Sequence, residues 1–332
     1  MIRFMKKNPV IPPKWIILTA LAYSLTTAQA QTLQEEKAFI KENMEFASKQ
    51  YELMMQTPAQ GKNGKAIMPH SIRKDGTPSK GSIYLWTAGF FPGTLWYLSD
   101  YTGDKALQDS ALAYTRKMEP AKTFTDNHDI GFMMYCSYGN ANRFAPKASY
   151  EDILVESARS LCTRFRPKAN VIQSWNGFRS WHGDKVYDFP VIIDNMMNLE
   201  LLFHASKVTG DESFRKIAVS HAEKVMQHQV RKDYSCFHII YYDKETGKPI
   251  KGETSQGYSD NSAWSRGQAW GIYGFTMCYR ETKDKRFLKT AEKMANFYLD
   301  HPNLPSDKIA WWDFNAYQEG YTPASVLMPV KQ

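Results

Sequence analysis

Thr209-Gly-Asp-Glu-Ser-Phe214 separates two runs of helical periodicity, and close variants of it stand at Thr102-Gly-Asp-Lys-Ala-Leu107 and Thr282-Lys-Asp-Lys-Arg-Phe287. In each, the Asp is placed to cap the helix that follows, and the residue before it ends the helix that precedes. The repeating unit is therefore a helical hairpin. The first helix of each unit is apolar and aromatic nearly all round. The second is amphipathic, with Phe214, Ile217, Ala218 and His221 set against Arg215, Lys216 and Glu223. That contrast predicts an inner ring of helices covered by an outer one.

Working outward from the turns, apolar residues at three- and four-residue spacing predict helices near 33–56, 87–100, 104–118, 128–140, 149–165, 190–207, 211–229, 264–281 and 284–300. Cys236-Phe-His-Ile-Ile-Tyr-Tyr242, followed by Glu245-Thr-Gly247, predicts a strand and turn forming a small hairpin on the surface. The fold class is all-α.

The chain begins differently. Lys6, Lys7 and Lys14 precede an apolar run from Trp15 to Tyr23, and Ala28-Gln29-Ala30 has the small-residue pattern that a signal peptidase cuts after. At about sixteen residues the stretch from Trp15 to Ala30 is short for a membrane span, and no cysteine follows to carry a lipid. Residues 1–30 are read as an export signal and 31–332 as one domain, periplasmic or secreted, with no stable membrane association once the signal is gone. Removing Arg3, Lys6, Lys7 and Lys14 from the net charge of +8 leaves about +4 with no basic run, which argues against nucleic acid and suits an acidic small substrate. Cys136, Cys162, Cys236 and Cys278 are far apart with no paired spacing, so neither a zinc site nor a disulfide framework is expected. His221 and His228 share a helix face but lack a third ligand; no metal and no cofactor is expected.

The unusual residues fall at the beginnings of inner helices. Asp194 is the one charged side chain in Phe189-Pro-Val-Ile-Ile-Asp-Asn-Met-Met-Asn-Leu199. A buried unpaired carboxylate is driven toward its protonated form, which makes it a candidate proton donor near neutral pH; the plain alternative is a cap or a buried acceptor. Trp86-Thr-Ala-Gly-Phe-Phe-Pro-Gly93, His128-Asp129-Ile-Gly-Phe132 and Trp264-Ser-Arg266-Gly-Gln268-Ala-Trp270 occupy equivalent places. Inner helices run the same way, so their starts gather at one end of the ring, where helix N-termini favour an anion. Trp86, Trp264 and Trp270 offer flat faces for sugars, and Arg266 a two-pronged donor for a carboxylate. Judged singly, the tryptophans could be core, Arg266 an ion-pair partner and Asp129 an ordinary helix-start acid.

His128-Asp-Ile-Gly-Phe, Ile193-Asp-Asn-Met-Met-Asn198 and, most specifically, Gln256-Gly-Tyr-Ser-Asp-Asn-Ser-Ala-Trp-Ser-Arg-Gly-Gln-Ala-Trp270 resemble the unsaturated glucuronyl hydrolases, glycoside hydrolase family 88. The similarity runs from the first helix to about Thr322. It implies an (α/α)6 barrel of six helical hairpins, and an enzyme that hydrates the C4=C5 double bond left by polysaccharide lyases on the non-reducing-end uronate of an oligosaccharide, here from glycosaminoglycans. Asp194 matches the family's catalytic aspartate and Asp129 its second one, whose charge would help keep Asp194 protonated. Trp86, His238, Gln256, Trp264, Arg266 and Trp270 match positions lining the sugar pocket; His238, on the proposed strand, could equally be a structural histidine. The resemblance breaks at the end, where Trp311-Trp-Asp-Phe-Asn-Ala316 is soon followed by Pro323 to Gln332, so the last hairpins are expected to be incomplete. Two other readings stay open: an unsaturated galacturonyl hydrolase of pectin breakdown, and a non-catalytic carbohydrate-binding barrel.

Overall fold

The computed structural model describes residues 13–56, 67–180, 182–183 and 185–316, with the side chains of 13–32, 67 and 78 outside the description. The predicted export segment and its cut site, and the terminal stretch from 323, fall outside the described side chains. Two compact units divide the chain, Met1–Gln56 and Thr57–Gln332. In the first, α1 runs over Pro13–Met55, covering the predicted 33–56 helix. No helix of the described residues is long and apolar enough to cross a membrane.

The second unit opens with a hairpin of β1 (Ile67–Ile72) and β2 (Pro78–Ser82) and then becomes helical. A 3-10 turn at Trp86–Gly89 leads into α2 (Phe90–Thr102), which pairs with α3 (Lys105–Lys117). The next inner helix is continuous but changes pitch: α4 (Ile130–Met134), a π turn at Tyr135–Gly139 and α5 (Asn140–Phe144), covered by α6 (Ala148–Cys162). A 3-10 turn at Ile193–Asn198 leads into α7 (Leu199–Thr209), paired with α8 (Glu212–His228), and α9 (Ser265–Thr282) pairs with α10 (Lys285–Leu299). The architecture is an (α/α)6 barrel, and the described residues supply four of its hairpins with the inner helices neighbours in chain order.

The repeated turns work as their sequence implies. Asp104, Asp211 and Asp284 accept the backbone N–H two residues on, at 2.7, 2.8 and 2.9 Å. Each turn's threonine hydroxyl donates to the carbonyl four residues back and accepts the N–H of the Asp. Between them the chain must pass through the left-handed region, at φ +70° for Gly103 and +74° for Gly210. Lys283 takes the same conformation at φ +61° without a glycine's freedom.

Two expectations need correction. Residues 190–192, predicted as helix, are strand β7 (Pro190–Ile192), because Val191 and Ile192 are β-branched, buried, and paired on the backbone with Ile240 and Ile239. The predicted surface hairpin is real as β8 (Ile239–Tyr242) and β9 (Pro249–Glu253), but β8 is no surface strand. It is the middle of the antiparallel order β7-β8-β9, buried at all four residues. Short pairs β3–β4 (Phe165–Arg166, Val171–Ile172) and β5–β6 (Phe178–Arg179, Val186–Tyr187) flank this sheet. Trp175, Phe178 and Tyr187 pack on its Ile192, Ile239 and Tyr241 face. The four cysteines are free thiols.

Candidate active site

The three-stranded sheet delivers three of the predicted residues to one place. β7 runs toward it and is followed at once by Asp194, β8 leaves from it just after His238, and β9 returns toward Gln256. Ile193 N–H donates to the His238 carbonyl at 3.0 Å, which ties the first two together. Asp129 reaches the same place from the start of α4. His128 N–H donates to the Ser174 carbonyl (3.1 Å), and the Ser174 hydroxyl accepts Ile192 N–H (2.9 Å), so the loop before β5 couples β7 to α4. Buried Arg164 holds that loop, donating to the carbonyls of Gln173 (2.8 Å), Ser174 (3.3 Å) and Thr125 (2.6 Å).

The start of α9 is fixed from the other side. Trp264 pairs with Asp313 as an isolated bridge, Ser265 N–H donates to the Trp312 carbonyl, and buried Asp313 accepts Tyr258 N–H (2.9 Å) and the Ser262 hydroxyl (2.7 Å). Arg266 thereby lies with its guanidinium carbon 4.6 Å from the Trp264 ring and 6.0 Å from the Trp86 ring, and donates to the Gln256 side-chain oxygen. Aromatic contacts close the gap between inner helices: Phe132 meets Trp86 at 5.4 Å and Trp270 at 5.6 Å, while His238 lies 4.5 Å from Trp264. All eight predicted site residues therefore fall in one connected cluster. Trp86 and Trp270 keep partial exposure, whereas Trp264 is buried under His238 and Arg266 and is more wall than platform.

Both carboxyls are only 14% exposed. Burial, reinforced by the charge of Asp194, pushes Asp129 up from 3.8 to about 7. Burial pushes Asp194 up to about 6, against the pull of the Arg266 cation, its own backbone N–H and the Trp270 indole, which approaches without reaching hydrogen-bond geometry. The charge of Asp194 is thus felt at Asp129, and both acids hold their protons toward the neutral range.

Each acid also faces an imidazole. His238 Nδ1 accepts Ser255 N–H (3.0 Å) and Gln256 N–H (3.2 Å), so its proton sits on Nε2, 3.8 Å from Asp194 Oδ2. His128 Nε2 lies 3.4 Å from Asp129 Oδ1. Burial drives both rings down to about 3, so both are neutral. His128 and Asn198 lie inside the motifs without standing out in them, and nothing in the sequence around Arg164 marks it. The available signal was two asparagines, Asn195 and Asn198, in the same apolar run as Asp194. His221 and His228, weighed as metal ligands, are structural: His221 Nδ1 accepts Ile172 N–H at 3.0 Å and His228 Nδ1 lies 2.9 Å from the Tyr242 hydroxyl.

A helical-hairpin barrel that brings two proton-competent carboxyls among tryptophans and an arginine, at the starts of neighbouring inner helices, defines a carbohydrate-cleaving hydrolase. Comparison with known proteins agrees. The model of Glycosyl Hydrolase Family 88 matches residues 65–303, and the chain belongs to that family as a glycoside hydrolase. It is 39% identical to an unsaturated glucuronyl hydrolase of Formosa agariphila, over 90% of this chain and 74% of that one. It is 33% identical to an unsaturated chondroitin disaccharide hydrolase of Streptococcus pyogenes serotype M1, over 88% and 73%. The crystal structure of an unsaturated glucuronyl hydrolase specific for heparin superposes with a TM-score of 0.77 at 43% identity, covering 83% of this chain and 71% of that one.

Proposed function

We propose that this hydrolase acts on unsaturated glucuronyl oligosaccharides released from glycosaminoglycans by lyases. In that reaction Asp194, in its protonated form, gives its proton to C4 of the 4,5-unsaturated uronate. Water adds at C5 and returns a proton to the same carboxylate. The hemiketal so formed opens and frees the neighbouring sugar, leaving Asp194 as it began. Asp129 shares the proton and keeps Asp194 oriented; Arg266 meets the uronate carboxylate, with Gln256, His238, Trp86, Trp264 and Trp270 around the ring. The observation that carries this reading is the pair of buried acids, close enough for the charge of Asp194 to raise Asp129, with the Nε2 of a neutral imidazole 3.4 Å from Asp129 and 3.8 Å from Asp194. Pairing Arg266 with an anionic uronate also cancels the cation that holds Asp194 down, so substrate binding itself moves the shared proton onto Asp194.

The relatives' names, one specific for heparin and one for chondroitin disaccharide, support glycosaminoglycan over pectin products. Mixing the purified protein with lyase-made disaccharides and following loss of the double-bond absorbance in the ultraviolet tests the activity. Chondroitin, hyaluronan, heparin and pectin products in parallel test the class; turnover of the pectin product alone, or binding without turnover, refutes it. We further propose export to the periplasm with maturation after Ala30, supported by the Lys6, Lys7, Lys14 and Ala28-Gln29-Ala30 pattern and tested by N-terminal sequencing of the exported protein.

A further inference from the structure

The motifs around the two acids contain a fully buried side chain that the reaction above does not use, Asn198. Its two ends are distinguishable. Phe132 N–H can only donate, so the Asn198 atom 2.8 Å from it is Oδ1. The other end is then Nδ2, which can only donate, and it lies 3.3 Å from His128 Nδ1. Nδ1 therefore presents its lone pair, and the single proton of the neutral ring is on Nε2, which lies 3.4 Å from Asp129 Oδ1 and also has the Asn195 side chain beside it as a second acceptor, neither at full hydrogen-bond geometry.

We propose that Asn198 is a positioning residue for Asp129: it fixes the His128 tautomer so that a neutral N–H, never a lone pair, faces the Asp129 carboxylate. The opposite tautomer sets donor against donor at Asn198 and lone pair against carboxylate at Asp129. The close fit is built into the backbone. A Cβ on Gly131 would stand 2.5 Å from Asn198 Oδ1 and 2.6 Å from its Cα, so Asn198 reaches α4 only because residue 131 has no side chain. This interlock accounts for the spacing within both His128-Asp-Ile-Gly-Phe132 and Ile193-Asp-Asn-Met-Met-Asn198. The other groups facing His128 and Asp129 are Arg164, Asp194, Asn195, His221 and His238; of these only Arg164 carries a fixed charge, and its guanidinium is occupied by carbonyls.

The inference rests on the proposed reaction for its consequence, not for its test. In protein labelled with 15N-histidine, His128, identified by its loss in His128→Gln, should show a protonated Nε2 and a lone-pair Nδ1 at pH 7. Asn198→Asp keeps the acceptor for Phe132 N–H but turns an oxygen toward Nδ1. The ring should then invert its tautomer or take a second proton, and the pH limb of kcat/KM should move by on the order of 1 unit. In the His128→Gln background the same substitution should leave the limb where it is. If Asn198→Asp does not fold, Asn198→Ala should give a mixture of the two tautomers. A wild-type His128 protonated on Nδ1, an unchanged ring in either variant, or an equal limb shift in both backgrounds overturns the proposal. A wild-type protein that leaves unsaturated uronyl products untouched defeats the reaction instead, while the tautomer is still read without substrate.

Discussion

Asp194→Asn should make the protein more stable while abolishing turnover, and the gain should depend on pH in a direction set by burial. The carboxyl titrates near 3.8 when exposed and at about 6 in the fold. A folded value above the unfolded one means that both states hold the proton below about pH 4, where the carboxyl and its amide replacement are nearly equivalent. Between about 4 and 6 the unfolded chain releases its proton and the folded one does not, so the wild type loses stability as pH rises, and above about 6 the loss is complete. At about 1.4 kcal/mol per pH unit this amounts to about 3 kcal/mol, with more added because Asp129 no longer faces a second charge. For a domain of this size that is a rise in Tm on the order of 6 °C. Calorimetric melting at pH 4 and pH 8, beside the double-bond absorbance assay at pH 6, measures all of it. An equal or absent gain at the two pH values refutes the claim that the site is desolvated at this carboxyl's expense, and retained turnover refutes its role as the acid.

The wild-type kcat/KM should fall about tenfold per pH unit once pH rises past the pair's highest value, near 7. Asp129→Asn removes the like charge and should move that limb to lower pH, as a pH–rate series would show. Arg266→Met should do the opposite to the limb, because the cation that holds Asp194 down is gone, and should also raise KM by about 10- to 100-fold for the loss of a charged contact of about 1.5–3 kcal/mol. Lys283→Gly should raise stability by about 0.5–1 kcal/mol in urea titrations, since its φ of +61° is the one glycine takes at the equivalent turns.

The hairpin repeat was legible because its signals are local. A threonine, a left-handed residue and a capping aspartate satisfy one another within three residues, so the turns at 102–104, 209–211 and 282–284 carry their structure in their own side chains. The start of the Asp194 helix was not legible. Pro190-Val-Ile192 has the apolar character of a buried helix and of a buried strand alike, and only its partner β8, nearly fifty residues on, decides for strand. The site divides the same way. Asp129, Asp194, Arg266 and the tryptophans stand out as residue types misplaced in apolar runs. Arg164 and Asn198 do not, because their work is done against carbonyls and ring nitrogens supplied by segments far away in the chain.

The choice of partners for the two acids follows from magnitudes. A charged imidazole at the 3.4 Å between His128 Nε2 and Asp129 Oδ1 would stabilise the carboxylate by about 5 kcal/mol at an effective dielectric of about 20. That is worth more than three pH units and would return Asp129 from about 7 to the ordinary carboxylate range, leaving no proton to exchange near neutrality. A neutral N–H beside the same oxygen leaves the acid its proton. Burial secures both halves of this arrangement at once, since the desolvation that raises the carboxyls is the desolvation that lowers His128 and His238 to about 3. Water admitted to the site would therefore reverse both together: the rings would charge, the acids would ionise against them, and two salt bridges would replace one transferable proton. The aromatic wall of Trp86, Phe132, Trp264 and Trp270 is on this argument part of the acid chemistry as well as a surface for the sugar.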